Sequence, residues 1–310
     1  DEPILYFYIN SPCIILGRNQ DAYEEVNLDY VREHNIIVTR RTSGGGAVFD
    51  DLGNVSFSFI TKDDGHSNGN FAKFTNPVIE ALHEMGATKA ELSGRNDLQI
   101  EGKKFSGNAM RIAHGRMFSH GTLMYDVDLD VIGHALNVPK DKIESKGIKS
   151  VHSRVTNLKP HFTPAYQHLT IEEFRDTLAK KILGVSDLAD AKEYVLSDED
   201  KAAVAKINAE IFSNWDFVYG KSPKAAIQHR QHFDQGTVDF RFQIEGGKIA
   251  YLKVYGDFLG QEDVRNFEQR LLGVRYDREA INQKIDEGLV ARVFGKITKD
   301  EIVDLLVRQE

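Results

Sequence analysis

Residues 40–48 read RRTSGGGAV, a run of three glycines directly after two arginines. Glycine loses more conformational freedom on folding than any other residue, so three in succession are costly. They allow a backbone to approach a ligand closely and to direct several N–H groups at an anion, and the arginines add fixed positive charge. The run predicts either an anion-binding loop between two strands or a mobile hairpin loop with a solvated arginine pair.

Two common nucleotide-binding motifs do not fit this chain. A P-loop is absent, because the position five before Gly102 is Asp97 and the residue after Lys103 is a second lysine. Residues 44–49 lack the third glycine of the dinucleotide fingerprint, and no βαβ pattern surrounds them. A nucleotide is therefore expected to bind on a different fold.

A second informative segment, residues 93–109, reads SGRNDLQIEGKKFSGNA and predicts a β-hairpin that turns at Glu101-Gly102. Because side chains alternate along a strand, Lys104, Ser106 and Asn108 are expected to share one face. Lys103, Phe105 and Gly107 are expected on the opposite face.

The start of the opposite hairpin strand carries Asn96 and Asp97, which are expected near Lys104. A lysine, a carboxylate and an amide that converge can hold a phosphate and a cation. An ordinary hairpin with an exposed lysine pair is the alternative that the residues leave open.

The composition indicates a soluble globular protein of two domains. The chain has 310 residues, a hydrophobic fraction of 41% and a formal net charge of −8. This charge disfavours nucleic acid as a partner, and no apolar run approaches the ~18–20 residues of a membrane span. A single cysteine, Cys13, excludes an internal disulfide and a zinc cluster and fits a cytoplasmic protein. The start has no signal-peptide pattern and no initiator Met, so the sequence is expected to begin inside a longer protein.

Hydrophobic periodicity and turn residues predict the elements. Strands are expected at 6–9, 13–16, 36–39, 55–60, 97–100, 103–111 and 118–125, with three more between 229 and 257. Helices are expected at 27–33, 71–85, 128–145, 170–183, 198–212, 262–272, 277–287 and 298–307. Capping boxes open two of these helices, at Thr170 and Thr298. A linker at Ser222-Pro223 divides residues 1–220 from a small α+β domain at 225–310.

Seven segments follow one another in the order of a known family. They are RRTSGGGAVF at 40–49, DLGN at 51–54, GRNDL at 94–98, KFSGNA at 104–109, HGTL at 120–123, KGIKSVHSRVTN at 146–157 and WDFVYG at 215–220. Together they resemble the lipoate–protein ligase family, and the match spans most of the chain.

The resemblance implies an α+β fold, with a biotin-ligase-like mixed-sheet catalytic domain and a small α+β accessory domain. It implies that lipoic acid and ATP, with Mg²⁺, form lipoyl-AMP and pyrophosphate. The lipoyl group then passes to a specific lysine of an apo lipoyl domain. The implied partners are the acyltransferase subunits of 2-oxoacid dehydrogenases or the H protein of glycine cleavage, with no nucleic acid and no membrane.

The resemblance also implies roles at matching positions. Lys104 corresponds to the catalytic lysine over the acyl carbonyl and the α-phosphate, and Asp97 is the candidate for metal or ribose contact. The implied substrate- and nucleotide-binding residues are Arg41, Ser43, Gly44, Gly45, Gly46, Ala47, Val48, Phe49, Asn54, Asn96, Lys104, Ser106, Gly107, His120, Gly121 and Thr122.

Two departures and three alternatives accompany this resemblance. The family commonly has a histidine where this chain has Asp50, and relatives carry a strand and a helix upstream of its first residue. One alternative is an octanoyl or lipoyl transferase that works through a thioester on Cys13. The others are a biotin ligase on the same fold and a non-catalytic protein that binds lipoyl domains.

Overall fold

A computed structural model describes residues 2–137, 154–219 and 227–308. The strands are β1 (Ile4–Tyr8), β2 (Cys13–Leu16), β3 (Ile37–Arg40), β4 (Val48–Asp50), β5 (Asn54–Lys62), β6 (Ala90–Ser93), β7 (Asp97–Ile100), β8 (Lys103–Ala113), β9 (Arg116–Met124), β10 (Ile227–Phe233), β11 (Gly236–Glu245) and β12 (Lys248–Gly256).

The α-helices are α1 (Ala22–Glu25), α2 (Leu28–Glu33), α3 (Phe71–Glu84), α4 (Leu129–Ala135), α5 (Ile171–Leu183), α6 (Asp198–Ile207), α7 (Trp215–Val218), α8 (Val264–Leu271), α9 (Arg278–Lys284), α10 (Glu287–Phe294) and α11 (Lys299–Leu306). A π-helical turn, Asn208–Phe212, continues α6. None of the helices within the described ranges has the length and apolar character that crossing a membrane requires.

The chain divides into two compact units. The first contains Asp1–Ile15, Tyr23–Thr39 and Val48–Val218, and the second contains Leu16–Ala22, Arg40–Ala47 and Tyr219–Glu310. Two short N-terminal segments thus belong to the same unit as the C-terminal residues.

The first unit is built on a six-stranded antiparallel sheet with the order β1-β5-β9-β8-β7-β6. One face of this sheet packs on α3 and α5 and buries Phe57, Leu98, Phe105 and Phe174. A three-stranded sheet, β3-β2-β4, belongs largely to the same unit. The sharp turn between β7 and β8 has positive φ at both Glu101 and Gly102, as a type I′ hairpin turn requires.

The second unit contains the antiparallel sheet β10-β11-β12, against which α8 to α11 pack. Its core is rich in aromatic side chains, among them Phe240, Phe242, Phe267 and Phe294. The predicted strands in 229–257 and the predicted capping box of Thr298 with Glu301 are confirmed.

Two predicted helices are wrong at their ends. The helix expected over 128–145 ends at Ala135, because Leu136 is extended and forms a β-bridge with Val26; residues 138–145 lie outside the described ranges. The helix expected over 277–287 ends at Lys284. The side chain of Asp286 accepts a hydrogen bond from the Leu289 N–H and so begins a separate helix, α10, that the prediction missed.

Candidate functional site

The face of the six-stranded sheet opposite α3 and α5 carries polar side chains that are half-buried. On β9 the half-buried Phe118, His120 and Thr122 alternate with buried residues. Asp97 on β7 and Lys104 on β8 are also half-buried. We call Asp97, Lys104, Gly107, His120 and Thr122 the open sheet face.

A β-bulge sets the direction of Lys104. Leu98 of β7 pairs with Ser106, but the next residue, Gln99, pairs with Lys104. Phe105 is therefore an extra residue, and it breaks the simple alternation of faces. A Cβ built on Gly107 would lie 3.1 Å from the Lys104 Nζ. The prediction that Lys104 shares a face with Ser106 and Asn108 is wrong, because the bulge places it beside Gly107.

The ammonium group of Lys104 forms an ion pair with Asp97. Its Nζ lies 2.8 Å from the Asp97 Oδ1, and both side chains remain about two-fifths exposed, at 41% and 42%. The backbone of Lys104 is also fixed, because its carbonyl oxygen accepts a hydrogen bond of 2.9 Å from the Thr156 N–H. The lysine and carboxylate expected to converge therefore do so, on a strand anchored from both sides.

The predicted site residue Asn96 and its neighbour Asn108 hold the strands together near this pair. The Asn96 amide donates to the Asn108 carbonyl, and the Asn108 Nδ2 donates to the Asn96 carbonyl at 3.0 Å. The Asn108 Nδ2 also donates to the Ser106 Oγ at 3.2 Å. Asn96 and Ser106 thus contact their own hairpin.

The two glycines of this site differ in their surroundings. A Cβ built on Gly121 would meet the Asn108 Oδ1 at 2.1 Å and the ring of Phe57 at 2.8 Å. Gly121 is therefore tightly packed on the buried face of the sheet, where a larger side chain would clash. Gly107 faces the Lys104 ammonium, and its N–H donates weakly to the Thr122 Oγ1 at 3.4 Å.

A buried hydrogen-bonded chain, Asn10–Asp50–Ser56–Asn54, lies in the same unit. The Asp50 Oδ2 accepts hydrogen bonds from the Asn10 Nδ2 at 2.9 Å and the Ser56 Oγ at 3.1 Å. The Ser56 Oγ in turn accepts from the Asn54 Nδ2 at 3.1 Å. Asp50 is fully buried and Asn54 nearly so. The chain that we call the Asp50 relay therefore ends on a predicted nucleotide-binding residue.

The charge of Asp50 affects two neighbouring groups. Burial, and then Asp50 and Asp51, raise the pKa of the Cys13 thiol to about 12. Burial, and then Asp50, raise the pKa of the Tyr8 hydroxyl. Both groups are therefore protonated at neutral pH, and Cys13 is a buried thiol on β2.

The glycine loop belongs to the second unit, where its two arginines bind backbone carbonyls. The Arg40 Nη1 donates to the carbonyl oxygens of Gly17 at 2.7 Å and Gln20 at 2.7 Å, and burial lowers the pKa of Arg40 to about 10. The Arg41 Nη2 donates to the carbonyls of Gly44 and Gly46 at 2.7 and 2.8 Å. These contacts do not fit the alternative interpretation, in which the two arginines are solvated on a mobile hairpin loop.

Two glycines of the loop are required by their conformation or packing. Gly45 has φ of +93°, a region that favours glycine. A Cβ on Gly44 would lie 2.5 Å from the Phe258 carbonyl oxygen. Apart from its chain neighbours, no described residue has a heavy atom within 4 Å of the position that a Cβ on Gly46 would take, so this side of the loop has room for a ligand.

The predicted site residues thus fall into two groups. Arg41, Ser43 and Gly44–Ala47 lie in the second unit, and the remaining residues, from Val48 to Thr122, lie in the first. Residues 146–153 of the sixth motif are outside the described ranges. Sequence reasoning missed Asn10 and Ser56, although the alternation of residues 55–60 already placed Ser56 on the face opposite Phe57.

Two family models match most of the chain. A model of the family described as "Lipoyl protein ligase A/B catalytic domain" matches residues 1–183, and one described as "Bacterial lipoate protein ligase C-terminus" matches residues 222–306. The chain belongs to the lipoate–protein ligase family. The family and the enzyme class predicted from the motifs, an ATP-dependent lipoate–protein ligase, are confirmed.

Two curated relatives of this lipoate–protein ligase are similar along nearly its full length. Lipoate-protein ligase LplJ of Bacillus subtilis is 47% identical over 306 residues, which cover 99% of this chain and 91% of the relative. Lipoate–protein ligase 1 of Staphylococcus aureus is 44% identical over the same shares of the two chains.

Solved structures confirm the α+β fold of the ligase. The P. falciparum LipL1 crystal structure in complex with lipoate has a TM-score of 0.75 at 23% identity and covers 100% of this chain and 88% of its own. A lipoate-protein ligase A structure bound with ATP has a TM-score of 0.58 at 25% identity, and the match covers 71% of this chain and 87% of that one.

Proposed function

We propose that this ligase forms lipoyl-AMP at the open sheet face, with Lys104 as the catalytic residue, and passes the lipoyl group to a lipoyl-domain lysine. The observation that carries the proposal is the position of the Lys104 ammonium, which is half-buried beside Gly107 and paired with Asp97. A cation anchored at an open face is suited to an anionic substrate, since bound phosphate can replace or share the carboxylate as its partner.

The first step joins two anionic reactants. A carboxylate oxygen of lipoate attacks the α-phosphorus of ATP, and the bond to the β-phosphate oxygen breaks to release pyrophosphate. The attack concentrates negative charge on the α-phosphate oxygens. The Lys104 ammonium stabilises that charge without transferring a proton, and a fixed charge of this kind commonly contributes several kcal/mol to catalysis.

The second step needs no covalent intermediate on the enzyme. The neutral amine of the acceptor lysine attacks the lipoyl carbonyl carbon, the bond to the phosphate oxygen breaks, and AMP leaves as the amine loses a proton. Lipoyl-AMP is already an activated mixed anhydride, so positioning of the two reactants supplies much of the remaining rate.

The residues present fit a magnesium ion that arrives with ATP. Within the described ranges no three carboxylate, histidine or cysteine side chains converge as a complete metal site. Mg²⁺ in nucleotide enzymes is usually held by one or two carboxylates together with substrate phosphates and water. Asp97, about two-fifths exposed beside Lys104, is the carboxylate that would hold it. The ion would neutralise charge on the triphosphate.

The state of Cys13 disfavours the thioester transferase. A thiolate is the reactive form of cysteine, and burial with two nearby carboxylates holds the pKa of this thiol near 12. Cys13 is also only 7% exposed. Asp50, which stands where the family commonly has a histidine, accepts hydrogen bonds from Asn10 and Ser56.

The acceptor is proposed to be an apo lipoyl domain, from a 2-oxoacid dehydrogenase acyltransferase subunit or the glycine cleavage H protein. Support comes from family membership and from the similar solved structure of a bi-partite lipoate protein ligase and its E2 lipoyl domain from Thermoplasma acidophilum. A cytoplasmic location and a division near residues 220–225 likewise remain proposals.

Mass spectrometry of apo lipoyl domain and apo H protein after incubation with enzyme, lipoate and MgATP tests this proposal. We expect an ATP-dependent lipoyl mass increment on at least one acceptor, and the same increment with the Cys13→Ser variant. A transfer that proceeds from an acylated carrier without ATP and is abolished by Cys13→Ser would contradict it.

A further inference from the structure

We infer that Asp50 is a positioning residue that fixes the direction of the hydrogen bonds in the Asp50 relay, so that Asn54 presents its carbonyl oxygen to an N–H or O–H donor of the nucleotide. The inference deepens the proposed function and rests on it, because Asn54 is placed on the nucleotide side by that proposal.

The chemistry of the relay allows one direction. In the inferred state Asp50 is ionised, and an ionised carboxylate only accepts hydrogen bonds, so the Ser56 hydroxyl donates its proton to Asp50. The Ser56 oxygen is then left with lone pairs and accepts from the Asn54 Nδ2. Asn54 consequently cannot turn its amide over without placing two acceptors against each other.

The result is a buried acceptor at the end of the relay. Asn54 is 1% exposed, and its Oδ1 has no hydrogen-bond partner within the described residues. A buried polar atom that is left unpaired is costly, and such atoms in native proteins usually have a partner from the protein, a ligand or ordered water. The partner must supply a proton, which the carboxylate of lipoate does not do at neutral pH.

ATP supplies three candidates, the 6-amino group of adenine and the 2′- and 3′-hydroxyls of ribose. Two of these are hydroxyls on the sugar and one is an amine on the base, and all share the chemistry of a neutral donor. A residue that can both donate and accept, such as histidine, would not impose the same direction on Ser56. Asp50 thus selects which amide atom of Asn54 faces the ligand.

The test is equilibrium binding by calorimetry in EDTA, which removes the contribution of magnesium. The ligands are ATP, 2′-deoxyATP, 3′-deoxyATP and purine riboside triphosphate, which lacks the amino group. The proteins are the wild type, Asp50→Ala, Ser56→Ala, Asn54→Ala and the double variant Asp50→Ala/Asn54→Ala. Ser58→Ala is the matched control, because Ser58 is a buried serine of the same strand, two residues further along.

We expect Asp50→Ala and Ser56→Ala each to weaken ATP binding by about tenfold, the size of one lost hydrogen bond to a buried acceptor. One of the three analogues should bind the wild type about tenfold more weakly than ATP does. The same analogue and ATP should bind Asn54→Ala with equal affinity. The double variant should be no weaker than Asn54→Ala alone, since the relay acts through Asn54. Ser58→Ala should match the wild type.

Two results would overturn the inference. One is a double variant whose loss of ATP affinity equals the product of the losses in Asp50→Ala and Asn54→Ala. The other is equal binding of all four nucleotides by the wild type. If Asp50→Ala does not fold, a double-mutant cycle of Ser56→Ala and Asn54→Ala tests the same coupling, and Ser56→Ala removes only a hydroxyl from the relay. Pyrophosphate release by the wild type with lipoate and MgATP is measured in parallel. Its absence would remove the proposed function, whereas normal release with unaltered nucleotide binding in the relay variants would remove only the relay.

Discussion

The Nζ of Lys104 lies 2.8 Å from the Oδ1 of Asp97 on the neighbouring strand. One inserted residue, Phe105, makes this contact possible, because it turns Lys104 away from Ser106 and towards Gly107. The bulge buries Phe105 in the core and leaves the lysine on the open sheet face. Core packing and the position of the Lys104 charge are therefore set by the same irregularity.

Gly107→Ala should reduce activity with little change in stability. The new Cβ would lie 3.1 Å from the Lys104 Nζ, and the flexible end of that side chain can move away. We expect the free energy of unfolding to change by less than ~0.5 kcal/mol and kcat/KM for adenylate formation to fall about ten- to hundredfold, because catalysis is sensitive to displacements of about 1 Å. Pyrophosphate release and urea unfolding measure the two effects, and normal activity would show that Lys104 needs no space there.

Gly121→Ala on the adjacent strand should, in contrast, lower the free energy of unfolding. Its Cβ would meet the Asn108 Oδ1 at 2.1 Å and the Phe57 ring at 2.8 Å, both on the buried side of the sheet. Overpacking of this kind costs ~1–3 kcal/mol. Urea unfolding of the two glycine variants side by side provides the comparison. A Gly121→Ala protein as stable as Gly107→Ala would contradict the assignment of faces.

Arg41→Lys should weaken lipoate binding. The Arg41 guanidinium donates to the carbonyls of Gly44 and Gly46, and a lysine ammonium does not reproduce this planar fork. Loss of one such hydrogen bond is worth ~1 kcal/mol, so KM for lipoate should rise about fivefold or more. Arg32→Lys is the control, because that side chain is 78% exposed. Equal KM values in the two variants would argue against a lipoate-binding role for the loop.

Cys13 should resist alkylation in the native protein up to high pH. Burial and the nearby Asp50 and Asp51 favour the neutral thiol, so the thiolate fraction grows only as the pH approaches 12. Labelling by iodoacetamide between pH 7 and 9 should therefore be slow and should accelerate on unfolding in urea. Rapid labelling of the folded protein at pH 7 would restore the thioester transferase as an alternative.

Periodicity and capping residues predicted most elements of the fold. The helix with Phe71, Phe74, Val78 and Leu82 on one face forms as expected, and those side chains are buried. Thr170 and Glu173 form the expected capping box. Helix periodicity and capping boxes involve residues that are close in the sequence, so they can be recognised from the sequence alone.

The errors came from features that depend on the tertiary structure. The sequence around Phe105 does not reveal the bulge. Because of the bulge, Lys104 lies beside Gly107 and not beside the predicted neighbours Ser106 and Asn108. The domain division near residues 220–225 stays a prediction. The grouping of Leu16–Ala22 and Arg40–Ala47 with the C-terminal residues depends on tertiary contacts that spacing along the sequence does not reveal. The Asp50 relay joins Asn10 to Asn54 across two sheets, so spacing alone did not predict it.

The most direct test compares Lys104→Ala with Lys103→Ala, its exposed neighbour on the same strand. Each variant is incubated with lipoate and MgATP, pyrophosphate release is measured, and the mass of an apo lipoyl domain added afterwards is recorded. We expect Lys104→Ala to lose at least about a hundredfold in both signals while it unfolds at the wild-type urea concentration, and Lys103→Ala to behave as the wild type. Turnover by Lys104→Ala equal to that of Lys103→Ala would contradict the catalytic role of Lys104.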